Sequence, residues 1–412
     1  MSAQALSLTR ARYGLDGALC LAVAILLGWG LVMVASASVA IGEKMSGSML
    51  YFFERQVMFS LMGFACGALA FAVPMKAWEN SGPLLLAFAL FLLVLVLVPH
   101  VSAKVNNARR WLDFGLFRLQ ASEPARLAMI LYLAGYIVRR QLRLQTSLVG
   151  LGVPFVPLGV VSLLLLCEPD FGATAILIGV AMLMLFLGGA RLTYLAGLFV
   201  VVGSGLTVLV LTAAYRLKRM MVFTDPWADA EHSGWQLTQS LIAVGRGQWT
   251  GVGLGNSVQK LLYLPEMHTD FIFAILAEEF GLFGVAALLA LFGVVVWRGF
   301  VIGSAAERLG FPFKAYLCYG LSSWLGLQAL INMAVNMGML PTKGLTLPLV
   351  SYGGSSLITV SVLLALILRV DHENRMAQAG HPGVSRAAPE PSRSNAAGRA
   401  WPKSATQMRR RS

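Results

Sequence analysis

Tyr263-Leu-Pro-Glu-Met-His-Thr-Asp-Phe-Ile-Phe-Ala-Ile-Leu-Ala-Glu-Glu279 is the stretch on which the reading of this chain turns. It ends a long polar loop and opens an apolar run that continues to about residue 297. An uninterrupted run of about 20 apolar residues crosses hydrocarbon as a helix. Pro265, Glu266, His268 and Asp270 crowd the last two turns before that run begins. An acid at a membrane boundary is costly to dehydrate and marks a functional position by default. Asp270 is therefore the candidate catalytic residue, with Glu266 and His268 beside it as candidate substrate contacts.

Composition carries the same reading along the whole chain. Of 412 residues, 57% are hydrophobic and only 12% charged, with a mean hydropathy of +0.72. Soluble domains carry about 25% charged residues, so the chain reads as an all-α polytopic membrane protein. About ten transmembrane helices are expected, at 16–40, 53–74, 81–99, 121–138, 146–166, 171–188, 192–213, 271–297, 312–337 and 349–369. The domains are then a cytoplasmic lead (1–15), a membrane domain (16–370) and a basic tail (371–412). One large extracytoplasmic loop, 214–270, lies between the seventh and eighth spans. The first span ends Val34-Ala-Ser-Ala-Ser-Val-Ala40, which resembles a signal-peptidase site, but its apolar run is too long for a signal peptide. The tail, rich in Pro, Ala, Ser and Arg, reads as disordered, a tether or a contact for anionic lipid. Cys20, Cys66, Cys167 and Cys318 show no CxxC spacing and the histidines no HxxxH pattern, so no metal site is expected from either.

The net charge of +13 raises the question of nucleic acid. Eight of the 32 basic residues fall in the last 42 positions, and most others lie in loops between spans, where they fix topology or meet anionic lipid. No nucleic-acid partner is expected. With a cytoplasmic N-terminus, the cytoplasmic links carry Lys76, Arg139, Arg140, Arg143, Arg191, Arg298, Arg308 and Lys314, and both termini share that side. The outer loops carry cations too: Lys104, Arg109, Arg110, Arg118, Arg216, Lys218, Arg219, Arg246, Lys260 and Lys343. These oppose the insertion preference, and an anionic ligand such as a phosphate is the simplest use for them. Snorkelling beside lipid head groups is the alternative for any one of them.

Four polar constellations fall at the outer side. In Gln120-Ala-Ser-Glu-Pro-Ala-Arg126, Ser122 suits a helix cap, and Glu123 and Arg126 share a face. They form either a neutralised supporting pair or a ligand site. In Cys167-Glu-Pro-Asp170, Asp170 suits a cap of the sixth span, with Glu168 a second acid lacking a local partner. Arg216, Lys218 and Arg219, followed by Trp227 and Trp235, suit capture of a lipid phosphate. The last is the opening stretch, where Glu278 would lie about 12 Å deeper than Asp270 on roughly the same side of a helix, and Glu279 nearly opposite. Asp270 itself also suits a helix cap. The glycines of Gly251-Val-Gly-Leu-Gly255 read as turns and close helix approaches, since no βαβ unit surrounds them.

Asn332, Gly338-Met-Leu-Pro-Thr-Lys-Gly-Leu345 and Ser351-Tyr-Gly-Gly-Ser-Ser356 form a signature. Together with Leu264-Pro-Glu-Met-His-Thr-Asp-Phe-Ile-Phe273, Glu168-Pro-Asp170 and Gln236-x-x-Gln-Ser240, it resembles the SEDS family (shape, elongation, division and sporulation). The likeness is strongest to its division-type FtsW branch and covers roughly residues 17–370. Ala121 departs from the family's Gln-Pro-Ser-Glu pattern, which bears on where the fourth helix starts.

The resemblance implies a peptidoglycan glycosyltransferase in the bacterial inner membrane that polymerises lipid II into septal glycan on the outer face. It implies a class B penicillin-binding protein partner, FtsI, and the divisome proteins FtsQ, FtsL, FtsB and FtsN. It places the family's essential Asp on Asp270. Arg109, Arg110, Arg216, Lys218, Arg219 and Lys343 are then substrate-binding candidates, and Glu123, Arg126, Glu168, Asp170, Glu278 and Ser351 polar support. A divalent cation, Mg2+ or Mn2+, shared by Glu266, Asp270 and a pyrophosphate is left open, without a dedicated ligand cage. Alternatives are a lipid II flippase, a recruiting scaffold, and the elongation-type paralogue RodA.

Overall fold

The structure is a computed structural model and describes residues 14–99, 102–105, 108–113, 115, 118–212 and 220–380. Asp16 starts the first helix, its carboxylate accepting the Leu19 N–H at 2.9 Å. Helix α1 (Gly17–Ser46) closes on Gly47, whose left-handed backbone lets its N–H reach the Glu43 carbonyl. The chain continues through α2 (Tyr51–Ala72), α3 (Met75–Leu97), α4 (Ser122–Thr146), the short α5 (Leu148–Gly152), α6 (Phe155–Cys167), α7 (Phe171–Leu187) and α8 (Leu192–Leu211). Then come α9 (Trp235–Gly247), α10 (Ile272–Arg308), α11 (Pro312–Asn336) and α12 (Gly354–Gly380). With α5 and α6 taken as one span and α9 set aside, the described helices stand at all ten places read from the apolar runs.

Six segments are long and apolar enough to cross a membrane on their own: α1, α2, α3, 149–167, α10 and α12. Helices α7 and α8 are apolar but shorter. The remaining two, α4 and α11, are the polar ones, burying Ser122, Glu123 and Arg126, and Ser322, Ser323, Gln328, Asn332 and Asn336. Such side chains are tolerated where protein rather than lipid surrounds them. These two helices carry the polar interior.

Successive spans alternate in direction, which sorts the loops onto two ends. At one end the Asp16 carboxylate binds the Arg298 guanidinium, while Glu373 accepts the Met75 N–H at 3.0 Å and pairs with Lys314 at 2.8 Å. The other end gathers the described parts of the 97–122, 167–171, 220–272 and 336–354 connections. The motifs that lie far apart in sequence meet there.

Three features differ from the sequence reading. The all-helical expectation misses a small antiparallel sheet, β1 (Ser102–Val105), β2 (Ala108–Asp113) and β3 (Arg118–Gln120), in that order. Its second hairpin is closed by Arg118 on Asp113 at 3.1 Å and by the Gly115 N–H on the same carboxylate at 2.9 Å. Strand β3 is tied to α12, the Gln120 N–H donating to Ser355 Oγ at 3.1 Å. Helix α12 runs to Gly380, past the point where the tail was expected to begin, held by Arg375 on Asp371 at 2.8 Å and by Asn374 on the Ile302 carbonyl at 3.1 Å.

The third difference is in the long loop, which contains α9 and grips α10. Helix α9 presents Leu237, Ser240, Ala243 and Gly247 on one buried face. Gly247 lies so close to α10 that a Cβ there would stand 2.0 Å from the Ala277 carbonyl oxygen. Helix α10 breaks at Gly281 (φ 63°, ψ −161°), a backbone shape that only glycine adopts at low cost. A break leaves carbonyls and N–H groups without helical partners. The loop supplies them: Val252 and Gly253 donate to the Glu278 and Glu279 carbonyls, both at 3.0 Å. Leu282 and Phe283 donate to the Gln248 and Trp249 carbonyls at 2.9 and 3.1 Å.

Candidate active site

Asp270 ends a tight turn in which Thr269 and Phe271 N–H groups both donate to the Glu266 carbonyl, at 3.2 and 3.1 Å. The cap position of α10 falls on Phe271 and no side chain caps it, so the Asp270 carboxylate is not used as a helix cap. Its main chain is held from α11, where Asn332 and Asn336 donate to the Asp270 carbonyl at 2.9 and 3.0 Å. Asn332 also donates to the Leu345 carbonyl, which joins the signature loop to the same clamp. In that loop a Cβ on Gly344 would lie 3.2 Å from Asp270 Oδ2. The carboxylate is half-buried and makes no side-chain hydrogen bond or ion pair among the described residues. Burial first, then the like charge of Glu266, pushes its pKa up to about 7, against the pull of Arg110.

A polar wall stands next to it. Arg110 donates to the Glu168 carbonyl at 2.9 Å and to the Pro169 carbonyl at 2.6 Å. Lys343 sits over the Phe171 ring, 3.9 Å from its centroid. Glu168 is buried, both of its carboxyl oxygens lack a hydrogen-bond partner among the described residues, and burial with the neighbouring Asp170 pushes its pKa up to about 9. Asp170 caps α7 through the Ala173 N–H at 3.0 Å and accepts from Gln120 Nε2 at 3.2 Å. Glu123 and Arg126 form a buried pair, with Arg126 also on Gln328 at 2.9 Å and over the Trp324 ring at 4.9 Å. Gln328 in turn donates to the Thr346 carbonyl at 3.0 Å. Ser351 Oγ accepts the Leu347 N–H at 2.7 Å, so it pins the same loop.

The structure thus brings Glu266, Asp270, Arg110, Glu168, Asp170 and Lys343 to one end, with Glu123, Arg126 and Ser351 supporting them. Ser122 is not the cap of α4. Ala121 holds that position and no side chain caps the helix, so the departure at 121 leaves the helix start at Ser122. His268 is buried against Phe52, with ring centroids 4.4 Å apart, and burial lowers its pKa. Glu278 serves the loop rather than Asp270: it binds Ser257, Arg246 at 3.2 Å and the Val258 N–H at 3.1 Å. Lys260 is likewise committed, to Glu279 at 2.9 Å and Ser36 at 3.0 Å. Arg246, though exposed, and the more buried Lys260 are therefore paired with acids of α10. Arg109 lies on β2, its side chain outside what is described, and Arg216, Lys218 and Arg219 lie outside the described residues.

Among the described residues no three His, Cys, Asp or Glu side chains gather as a metal cage. Asn336 and Gln328 were missed by the sequence reading. Their signal was present: amides spaced four apart, Gln328, Asn332 and Asn336, along one face of an otherwise apolar helix.

Over residues 17–376 the chain matches the FtsW/RodA/SpoVE cell cycle protein family. The chain belongs to this family. Among FtsW/RodA/SpoVE relatives, a probable peptidoglycan glycosyltransferase FtsW of Thioalkalivibrio sulfidiphilus (strain HL-EbGR7) is 52% identical over 359 residues, 87% of this chain and 90% of the relative. Another of the same name, from Legionella pneumophila, is 49% identical over 85% of this chain and 89% of the relative. A solved peptidoglycan synthase complex, described as coordinating polymerization and crosslinking, matches with TM-score 0.72 and 27% identity over 88% of this chain and 99% of that one. The rod shape determining protein RodA of Thermus thermophilus matches with TM-score 0.66 and 28% identity over 88% and 98%. The family segment contains every described residue of the candidate site, from Arg110 to Ser351.

Proposed function

We infer that the chain is a peptidoglycan glycosyltransferase of the division type, polymerising lipid II into glycan strands, and that Asp270 is its general base. One observation carries the residue assignment. A half-buried carboxylate with no hydrogen-bond or ion-pair partner among the described residues stands on a main chain clamped by two asparagines. A carboxylate bound in an ion pair would be a poorer base, and one on a loose loop would be poorly aimed.

The ionised carboxylate removes the proton from the acceptor sugar hydroxyl as that oxygen attacks the donor's anomeric carbon. The new C–O bond forms as the bond to the pyrophosphate breaks, and polyprenyl pyrophosphate leaves with the electron pair. Attack from the opposite face turns an α-linked pyrophosphate into a β-glycosidic link. Asp270 then returns its proton to water. Arg110 and Lys343, with Arg109, Arg216, Lys218 and Arg219, balance the charge on the departing pyrophosphate. Neutral Glu168 adds no negative charge beside it. A divalent cation held by Glu266, Asp270 and the pyrophosphate would add further balance, but no step here is routed through one.

Short links rich in Lys and Arg at the Asp16 end support a cytoplasmic location for both termini, with Asp270 facing outward. The likeness to a synthase complex supports a penicillin-binding partner, FtsI, at the septum, with FtsQ, FtsL, FtsB and FtsN around it. Fluorescent lipid II incubated with the detergent-solubilised protein tests the activity. A ladder of glycan is expected; translocation after reconstitution without any polymer would instead fit a flippase.

A further inference from the structure

A second group of side chains adjoins the Asp270 turn and has no part in the mechanism above. It is built from the start of α2 and the 351–353 turn, whereas Arg110 and Lys343 come from β2 and the signature loop. Phe52, His268 and Tyr352 pack ring to ring, with centroids 4.4, 5.1 and 5.6 Å apart. Tyr51 lies edge-on to Phe52 at 5.2 Å, and Phe59 backs Tyr352 at 6.3 Å. Phe52 and His268 are buried, while Tyr51 and Tyr352 remain half-exposed. Arg55 is exposed, but its guanidinium lies over the Tyr51 ring at 4.6 Å and beside the Tyr352 hydroxyl. The group is fixed to the catalytic turn: the Tyr352 N–H donates to the His268 carbonyl at 2.9 Å, two residues before Asp270. Gln56 donates to the Ser351 carbonyl at 3.1 Å on the same seam. His268 Nδ1 is buried with no hydrogen-bond partner among the described residues.

We propose that Tyr51, Arg55 and Tyr352 form a saccharide–diphosphate subsite for the incoming acceptor, the second lipid-linked sugar of each cycle. The proposal rests on the polymerase reading. Joining two lipid-linked saccharides requires two anionic head groups to be held at once. The donor's diphosphate sits at the reacting carbon, on the side of Arg110 and Lys343. The acceptor's diphosphate lies one saccharide unit from its reacting hydroxyl and needs its own cation. Half-exposed phenol rings take the C–H face of a sugar and hydrogen-bond its hydroxyls, because a Tyr ring has an apolar body and a polar tip. A guanidinium already held between a ring and a phenol loses little freedom on pairing with phosphate. Arg118, on β3 and paired with Asp113 at 3.1 Å, adds positive charge near Tyr352. An interfacial aromatic belt would account for Tyr51 alone; it would not account for an arginine stacked on that ring next to Tyr352.

The test measures KM and kcat for fluorescent lipid II, together with melting temperature, on the full chain in detergent. Arg55→Gln is expected to raise KM about tenfold, the loss of one charge-assisted contact, with kcat and melting temperature near wild type. Arg55→Lys should recover part of that loss, and Tyr352→Phe should change KM less than Tyr352→Ala. Should Arg55→Gln fail to fold, Tyr51→Ala at the rim serves instead, with KM expected to rise about fivefold for loss of one stacked ring. A KM that stays at the wild-type value in the folded variants, or a fall in kcat and melting temperature without a change in KM, overturns the subsite and leaves interfacial anchoring. Wild-type protein that makes no polymer at all overturns the polymerase reading and the subsite with it.

Discussion

A carboxylate raised to about 7 is poised at the operating pH of the cell, where a base is most effective. The structure half-buries Asp270 beside Glu266, so both protonation forms are populated near neutrality. With the ionised form as base, the saturated polymerisation rate should rise through pH 7 and be about tenfold higher at pH 8 than at pH 6. A pH–rate profile on purified protein checks this, and a flat profile from 6 to 8 contradicts it. Glu168 behaves in the opposite way, because burial and Asp170 hold its proton up to about pH 9. The folded state then binds that proton more tightly than the unfolded chain. Stability falls as pH rises from the ordinary carboxyl range near 4.5 through about 9. Glu168→Gln, which mimics the neutral acid, should keep activity near neutral pH and flatten the fall in melting temperature between pH 6 and 9. An unchanged slope in the variant would show that Glu168 is not the titrating group.

At the scale of elements, α11 and the signature loop act as one clamp. Asn332 holds two carbonyls, of Asp270 and Leu345, whereas Asn336 shares only the first with it. Asn332→Ala should therefore cost more activity than Asn336→Ala, about tenfold or more, since small misplacement of a catalytic group is expensive. The double variant should lose less than the product of the two, because both amides serve one oxygen. Relative rates under saturating lipid II decide it; equal and independent losses would mean that the clamp does not aim Asp270. The spans themselves were legible, because an apolar run of membrane length has few other uses. The sheet was not, since β3 is only Arg118–Gln120 and short strands leave no periodicity to read. Nor were the partners of Arg246 and Lys260, because charge pairing across 32 and 19 residues depends on the break at Gly281 and the loop that fills it.

Across the described residues, buried polar side chains are gathered in the bundle interior and at its ends, while α1, α2 and α3 turn large apolar residues such as Leu21, Phe64 and Phe88 outward. That is the arrangement expected where lipid is the outer solvent and chemistry occurs at a mouth of the bundle. The motifs that carry the family resemblance converge on the Asp270 turn, although they lie up to about a hundred residues either side of it in sequence. Asp270 was singled out as the candidate base from one string, but its half-burial, the twin-asparagine clamp and the aromatic group beside it needed the packed bundle. Asp270→Asn keeps the size and the clamped main chain and removes only the base. Purified variant protein given fluorescent lipid II, with binding and polymer measured in parallel, should bind the substrate near wild-type affinity and form no glycan; polymer at the wild-type rate would contradict the assignment.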